Sequence, residues 1–471
     1  MTRPTDVRCV GARAWLLPVQ TRVPLKFGSE VLTSVTCLRV QVTVRNARGQ
    51  QSSGWGEVPL SVQLVWPSAL PYGDRYQALL DLSQRVTAAW VDLAERGHPL
   101  ELWGEFERSR LPGLLAEANA SRAGSEPIPW LAALLCCSAC DLATHDAFGQ
   151  LCGVSSWATL NDRYMTQDLQ SLLADGDTAD PQWRGRYPGE FLRARRCDRL
   201  VAWHLVGGLD PLSAVDLDGS EPRDGHPVLL EDWIARDGLK CLKVKLRGTD
   251  AAWDYGRLVQ VGGVGLARGV RWLSADFNCT VTDPAYVTEI LDRLLWDAPE
   301  VSAHLLYVEQ PFPYELEQHA IDVRSVAARK PLFMDESAHD WRHVRLGREL
   351  GWSGVALKTC KTLSGALLSL SWAQQHGMTL MVQDLTNPAL AQIPHVSLAA
   401  HARTIMGVET NSMQYYPEAS APEAAIHPGL YRRRNGEVDL STVTGAGLGY
   451  RVREISRSLP EPAWEVGDVL S

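Results

Sequence analysis

Seven charged residues recur at the ends of short apolar runs between residues 240 and 410: Lys245, Asp276, Glu309, Asp335, Lys358, Asp384 and Glu409. The runs read LKCLKVKL, VRWLSADFN, HLLYVEQP, PLFMDES, GVALK, TLMVQD and TIMGVET. Asp276, Glu309 and Asp335 are consecutive in this series, and three carboxylates without histidine or cysteine are hard oxygen donors. Such a set suits Mg2+, with Mn2+ as an alternative. Lysines flank them. A lysine at its ordinary pKa is protonated at neutral pH and is a poor base. A second ammonium nearby and a divalent cation across the pocket both disfavour its charged form. Lys243 stands two residues before Lys245 and so shares its strand face. Lys358 leaves a strand about half a turn round the ring. Two such bases on opposite faces of one carbon can remove a proton from one side and return it to the other. The metal would stabilise the charge that builds on a neighbouring carboxylate oxygen as an enolate forms.

Residues so far apart in sequence meet only if the elements carrying them are wound into a ring. The intervals between the charged residues have the length of one strand, one helix and two loops, and alternation of this kind implies parallel pairing. Segments such as AAWDYGRLVQVGGVGLA, PAYVTEILDRLLWDA, YELEQHAIDVRSVAAR, DWRHVRLGREL and TLSGALLSLSWAQQHG fit between the runs as helices. RLVAWHLVGG supplies a first strand. In a closed βα barrel the strand C-termini gather at one mouth, which would bring the charges together.

Outside the ring, residues 7–60 alternate as antiparallel strands, with a hairpin at Asn46–Gly49. The preceding stretch VPLKFGSEV reads as a flexible loop. Residues 75–150 read as helices, ending with the apolar stretch IPWLAALLCCSACDLATHDAFGQLCG. The Gly, Pro and Asp-rich stretches around 160–225 look like insertions. EVDLSTVTGAGLGYRV, late in the chain, reads as a strand rejoining the first lobe.

At 471 residues the chain is long enough for a barrel plus a second lobe. The net charge of −9, with no basic run, argues against nucleic acid and anionic membranes as partners. No apolar stretch reads as long enough to span a bilayer, and the N-terminus lacks the apolar core of a signal peptide. The ten cysteines are scattered without a zinc pattern and read as reduced core thiols of a cytoplasmic protein.

The motifs CLKVKLRG, SADFN, YVEQP, MDES and ALKTCKTLSGA resemble the successive strand motifs of the enolase superfamily, within its muconate-lactonizing branch. The mandelate racemase branch would instead show a His-Asp pair near the end of the barrel. SACDLATHDAFGQLCGVSSW, GWGEVPL and TGAGLGYRV resemble parts of the family's capping domain. The resemblance implies a modified (β/α)7β TIM barrel over residues 196–411. An α+β capping domain would be built from residues 1–195 and completed by the segment 412–471. It implies Asp276, Glu309 and Asp335 as magnesium ligands. Lys245 and Lys358 become the acid/base pair, with Lys243 assisting, and Asn278 helps to orient the substrate carboxylate or a metal-bound water. Glu336 would stand behind a ligand, and Lys361, His395 and His401 are structural. The last two strand ends do not match the substrate-specifying motifs of dipeptide epimerases or cycloisomerases, so Asp384, Asn387, Glu409 and Asn411 become candidates for substrate binding. Lys26 or Phe27, in the capping loop, would touch substrate. The expected activity is abstraction of the proton α to the carboxylate of a small acid, with racemisation or epimerisation placed first. The alternatives use the same residues: cycloisomerisation, or syn-dehydration of the o-succinylbenzoate synthase type. An inactive binding barrel and a hydrolase with paired acids rank below these. A homo-oligomer is compatible with the sequence.

Overall fold

The computed structural model describes residues 3–470 apart from 28–29 and 176–179. The N-terminal lobe is built on three long antiparallel strands, β1 (Val7–Phe27), β2 (Glu30–Asn46) and β3 (Gln51–Pro59). The β2–β3 hairpin forms because Asn46 Oδ1 accepts from both Arg48 N and Gln50 N at 3.0 Å, while Gly49 adopts the positive φ of 81° that the turn needs. The VPLKFGSEV stretch is not a loose loop. Leu25, Lys26 and Phe27 pair with Leu32, Val31 and Glu30, so β1 and β2 continue as a two-stranded arm. Gly28 and Ser29 at its tip lie outside the described residues.

One helix, Trp130–Cys152, packs on the inner face of this sheet. It is long and apolar enough to cross a membrane by length and composition, contrary to the reading of the sequence, and its apolar window is entirely buried inside the protein. Its apolarity is explained by being covered on all sides. Ala139, Ala143 and Ala147 recur every fourth residue along one stripe. They meet Gly54 and Gly56 of β3 so closely that a Cβ at Gly56 would lie 2.1 Å from Ala139 O.

The second lobe is a nine-stranded sheet whose path runs through β4 (Arg199–Val206), β5 (Cys241–Lys245), β6 (Trp272–Asp276), β7 (Leu305–Glu309), β8 (Leu332–Met334), β9 (Gly354–Leu357), β10 (Thr379–Val382) and β11 (Val408–Glu409). All neighbours on this path are parallel. Strand β11 returns to pair with β4, and a Leu380–Thr404 bridge with Ile405 N donating to Leu380 O at 2.8 Å joins the two ends into a barrel. Helices 251–266, 284–297, 341–350, 363–375 and 392–401 fill the connections. The segment read as a helix over YELEQHAIDVRSVAAR is mostly turns, with only Arg324–Ala327 helical.

Strand periodicity decides what fills the barrel. Trp203, Cys241, Tyr307, Phe333 and Met381 form a buried apolar plug low in the interior. Two residues further along each strand, on the same face, stand Leu205, Lys243, Glu309, Asp335 and Gln383. The apolar layer thus gives way to a charged one at the mouth.

The C-terminal segment ties the lobes together; the stretch expected to do so reaches the first lobe as a Ser155–Gly447 bridge, with Leu448 N donating to Asp146 Oδ1 at 2.8 Å, rather than as a strand of its sheet. Glu437–Asp439 pairs with β4 of the barrel, and the strand that joins the first sheet is Trp464–Gly467, antiparallel to β1. A buried ion network adds to this. Arg39 on β2 bonds to Glu57 on β3 and, at 3.0 Å, to Glu423, which Arg457 also holds at 2.5 Å. Replacing Arg39 by leucine leaves two buried carboxylates short of a partner and is expected to cost about 3–5 kcal/mol. A urea-unfolding midpoint equal to that of the unaltered protein would show that this network contributes nothing to joining the lobes.

Candidate active site

From β5 onward the strand ends deliver charged side chains to the barrel mouth, and parallel register sets them level; β4 contributes Leu205. Lys245 lies opposite Asp276, and Asp276 opposite Glu309. Lys243 Nζ stands among three carboxylates, 2.6 Å from Glu309, 2.9 Å from Glu409 and 3.0 Å from Asp276. Lys245 Nζ donates to Asp276 Oδ2 at 2.5 Å. Across the ring Lys358 Nζ lies 3.0 Å from Asp335 Oδ2 and donates to the Asp384 carbonyl at 3.0 Å. All six of the lysines and carboxylates expected to act in catalysis or metal binding are buried, none above 6% exposure.

The electrostatics follow from this packing. Burial works against the charge of Lys243, but Glu309, Glu409 and Asp276 hold its ammonium well above the usual lysine range. Lys358 is likewise raised despite burial, chiefly by Asp335. In Lys243 and Lys358 the attraction of the carboxylates outweighs both burial and the repulsion between the ammonium groups. Asp276 is held well below the usual carboxylate range, burial being overcome by Lys245 and Lys243. Glu309 is pushed well above it by burial and by the charge of Asp276.

Among the described residues no three acidic, histidine or cysteine side chains are gathered closely enough to form a ready metal cage. Ammonium groups stand between the carboxylates instead. The residues nevertheless fit a divalent cation by their chemistry. Asp276, Glu309 and Asp335 offer hard oxygens from adjacent strands, and Asp335 Oδ1 is buried without a hydrogen-bond partner. Glu336 is buried beside them with Oε2 also unpartnered, and burial together with the charges of Asp335 and Asp276 raises it to about 7.

The remaining candidates divide. Asn278 has a φ of 50° and donates its backbone N–H to Asp276 Oδ1 at 2.9 Å, leaving both side-chain amide atoms buried and without a partner. Asp384 and Glu409 line the cavity at the mouth. Asn411 and Asn387 brace its rim: Asn411 Nδ2 donates to Glu409 Oε1 at 2.9 Å, and both backbone N–H groups donate to Asp384 Oδ2. Lys361 donates to the Asp335 carbonyl. His395 is buried with Nε2 2.7 Å from the Glu409 carbonyl, and His401 stacks on Trp157. Phe27 lines the cavity and faces Lys245, whose Nζ is 5.9 Å from the ring centroid; Lys26 instead packs on Gly208.

Two glutamines were missed. Gln383 Nε2 donates to Glu309 Oε2 at 2.5 Å and to Tyr307 Oη at 3.2 Å. Gln310 Oε1 accepts from Asp335 N, Ser337 N and Ser337 Oγ, pinning the end of β8 to that of β7. Strand alternation from Met381 would have pointed to Gln383, which shares its face, ahead of Asp384.

Residues 228–456 match the family described as enolase C-terminal domain-like. An L-Ala-D/L-amino acid epimerase of Pedosphaera parvula is 26% identical over 180 residues, covering 38% of this chain and 47% of that protein, so the chain matches about half the relative's length. The N-succinyl Arg/Lys racemase from Bacillus cereus superimposes with a TM-score of 0.62 at 14% identity, over 98% of this chain and 99% of that one. The L-Ala-D/L-Glu epimerase from Bacillus subtilis gives 0.59 at 16%, over 94% and 98%. The muconate lactonizing enzyme from Pseudomonas fluorescens gives 0.57 at 16%, over 94% and 96%. At these identities the likeness is one of fold, a capping lobe on a barrel. The match to the enolase C-terminal domain-like family takes in barrel strands β5 to β11, and the whole chain shares the fold of the muconate lactonizing enzyme and the racemase.

Proposed function

We propose that this chain is an enzyme that removes the proton α to the carboxylate of a small acid and returns one to the same carbon, as a racemase or epimerase. The observation that carries the reading is the placement of Lys245 and Lys358. They leave strands on different sides of the barrel yet line one cavity, with the carboxylates of Asp335, Asp384 and Glu409 in the same wall. A carbon held between them presents one face to each.

Asp276, Glu309 and Asp335 would hold a magnesium ion, which would stabilise negative charge on the substrate carboxylate as the α-proton leaves. The lysines do the proton work. In each case the ammonium is paired with a carboxylate from the set that would hold the metal: Lys245 with Asp276, Lys358 with Asp335. Once that carboxylate shares its charge with a cation, its pull on the ammonium falls and the lysine gives up its proton more readily. Lys243 spans Asp276, Glu309 and Glu409, and its charge keeps those carboxylates from repelling one another. Gln383 fixes the second oxygen of Glu309.

Removal of a positioned acid or base typically costs about 10²–10⁴-fold in rate. In D2O with an accepted acid, Lys245→Ala and Lys358→Ala should each lose deuterium incorporation at Cα from at least one enantiomer by that factor, read by proton NMR. Exchange continuing at full rate in both variants would remove the reading. Magnesium should also raise the melting temperature. A cation at 100 times its dissociation constant contributes about 2.7 kcal/mol. The rise should disappear on chelation and in Glu309→Gln. A melting temperature indifferent to magnesium would contradict the metal assignment without touching the lysines.

A further inference from the structure

The cavity between the lobes has two walls of opposite character. The barrel side carries Lys243, Lys245, Asp335, Lys358, Asp384 and Glu409. The capping side carries Leu25, Phe27, Leu32 and Leu64, continued by Leu205 and Leu385 from the barrel rim, and among the described residues its polar side chains are the uncharged Ser61 and Thr386. The reason lies in the arm formed by β1 and β2. Side chains on paired strands alternate between faces, and the Leu25–Leu32 pair turns one face of the arm toward the barrel. That face packs with Leu205, Tyr415 and Tyr416 into a small apolar cluster of its own. Of the charged residues of this stretch, Lys26 falls on the alternate position and rests on Gly208, and Glu30, the partner of Phe27, is not among the residues that line the cavity. The cavity left between the walls is about 30 Å³, little more than one water molecule, so the apolar and charged walls stand close enough for one small acid to touch both.

We infer that the substrate of this site carries its carboxylate toward the barrel and an uncharged, apolar group toward Leu25, Phe27, Leu32 and Leu64, with no second charged group at that end. This rests on the reading of the lysine and carboxylate ring as the site of proton abstraction. A distal carboxylate or ammonium would be desolvated against leucine and phenylalanine with nothing to pair it, a burial that is strongly unfavourable. A distal alkyl or aryl group would instead remove its own surface and that of the wall from water. Phe27, seated over Lys245, sets how far the apolar group can extend.

Binding separates this inference from the chemistry. With magnesium present, 4-methylpentanoate, phenylacetate, glutarate and 6-aminohexanoate are titrated against the full chain by calorimetry. The apolar acids should bind at least about tenfold more tightly than the two with a charged end, a difference of about 1.4 kcal/mol. Leu32→Lys should reverse the order for glutarate, and Leu64→Arg provides the same cation from the half-buried edge of the wall if Leu32→Lys does not fold. Glutarate or 6-aminohexanoate binding as well as the apolar acids, or none of the four binding, overturns the inference. Apolar preference without deuterium exchange in any α-hydrogen acid would leave the inference standing and count against the proton-abstraction reading alone.

Discussion

The structure turns on how a cluster of buried charges is kept neutral. Five carboxylates and three lysines face the barrel mouth with little contact with water, an arrangement stable only when opposite charges interleave. Lys243 does most of this, reaching Asp276, Glu309 and Glu409 at once. Removing one partner from such a set is far more costly than never having had it, so the sequence is committed to the whole ring. The same interleaving gives it chemistry, because each ammonium is held by a carboxylate whose charge another cation can share. The raised Glu309 and lowered Asp276 are two sides of one imbalance: Asp276 has both Lys245 and Lys243 beside it, whereas Glu309 has Lys243 alone and feels the charge of Asp276.

Holding the ring demands the layers beneath and above it. Below, Trp203, Tyr307, Phe333 and Met381 plug the barrel, so that the charged layer rests on an apolar floor. Above, the β1–β2 arm closes the mouth with leucines and Phe27. The arm's position in turn depends on the Trp130–Cys152 helix. Its alanine stripe against Gly54 and Gly56 brings the sheet down close, while its other side reaches the barrel, where Asp141 Oδ1 accepts from Ser364 Oγ at 2.6 Å. The ion network of Arg39, Glu57, Glu423 and Arg457 then locks the C-terminal segment over the joint.

The barrel was readable in the sequence because its signal is repetitive: an apolar run, a charged residue, a helix, and the same again. The charged residues were readable because parallel strands end at a common mouth. What was misread has physical causes. VPLKFGSEV contains glycine, proline and charge and so looks like a loop, yet Leu25, Phe27 and the following Leu32 are strand positions buried in part against Leu205, Tyr415 and Tyr416, far away in sequence. The ion pairs of Lys243 were not legible along the strand, because the carboxylates that hold it come from neighbouring strands and Glu409 lies more than a hundred residues away. Gln383, inward beside Asp384, was passed over because it carries no charge. The hydrogen bonds of Asn411 and Asn387 to Asp384 and Glu409 join loops that are separate in sequence, so their bracing of the rim was not legible.

The central claim is that the carboxylates now paired with lysines are the ligands of a divalent cation. Crystals of the protein soaked in Mn2+ and measured at the manganese absorption edge test it most directly. A single anomalous peak bounded by Asp276, Glu309 and Asp335 is the predicted result. Manganese absent from that position, with Lys243 still bonded to Asp276 and Glu309, would contradict it.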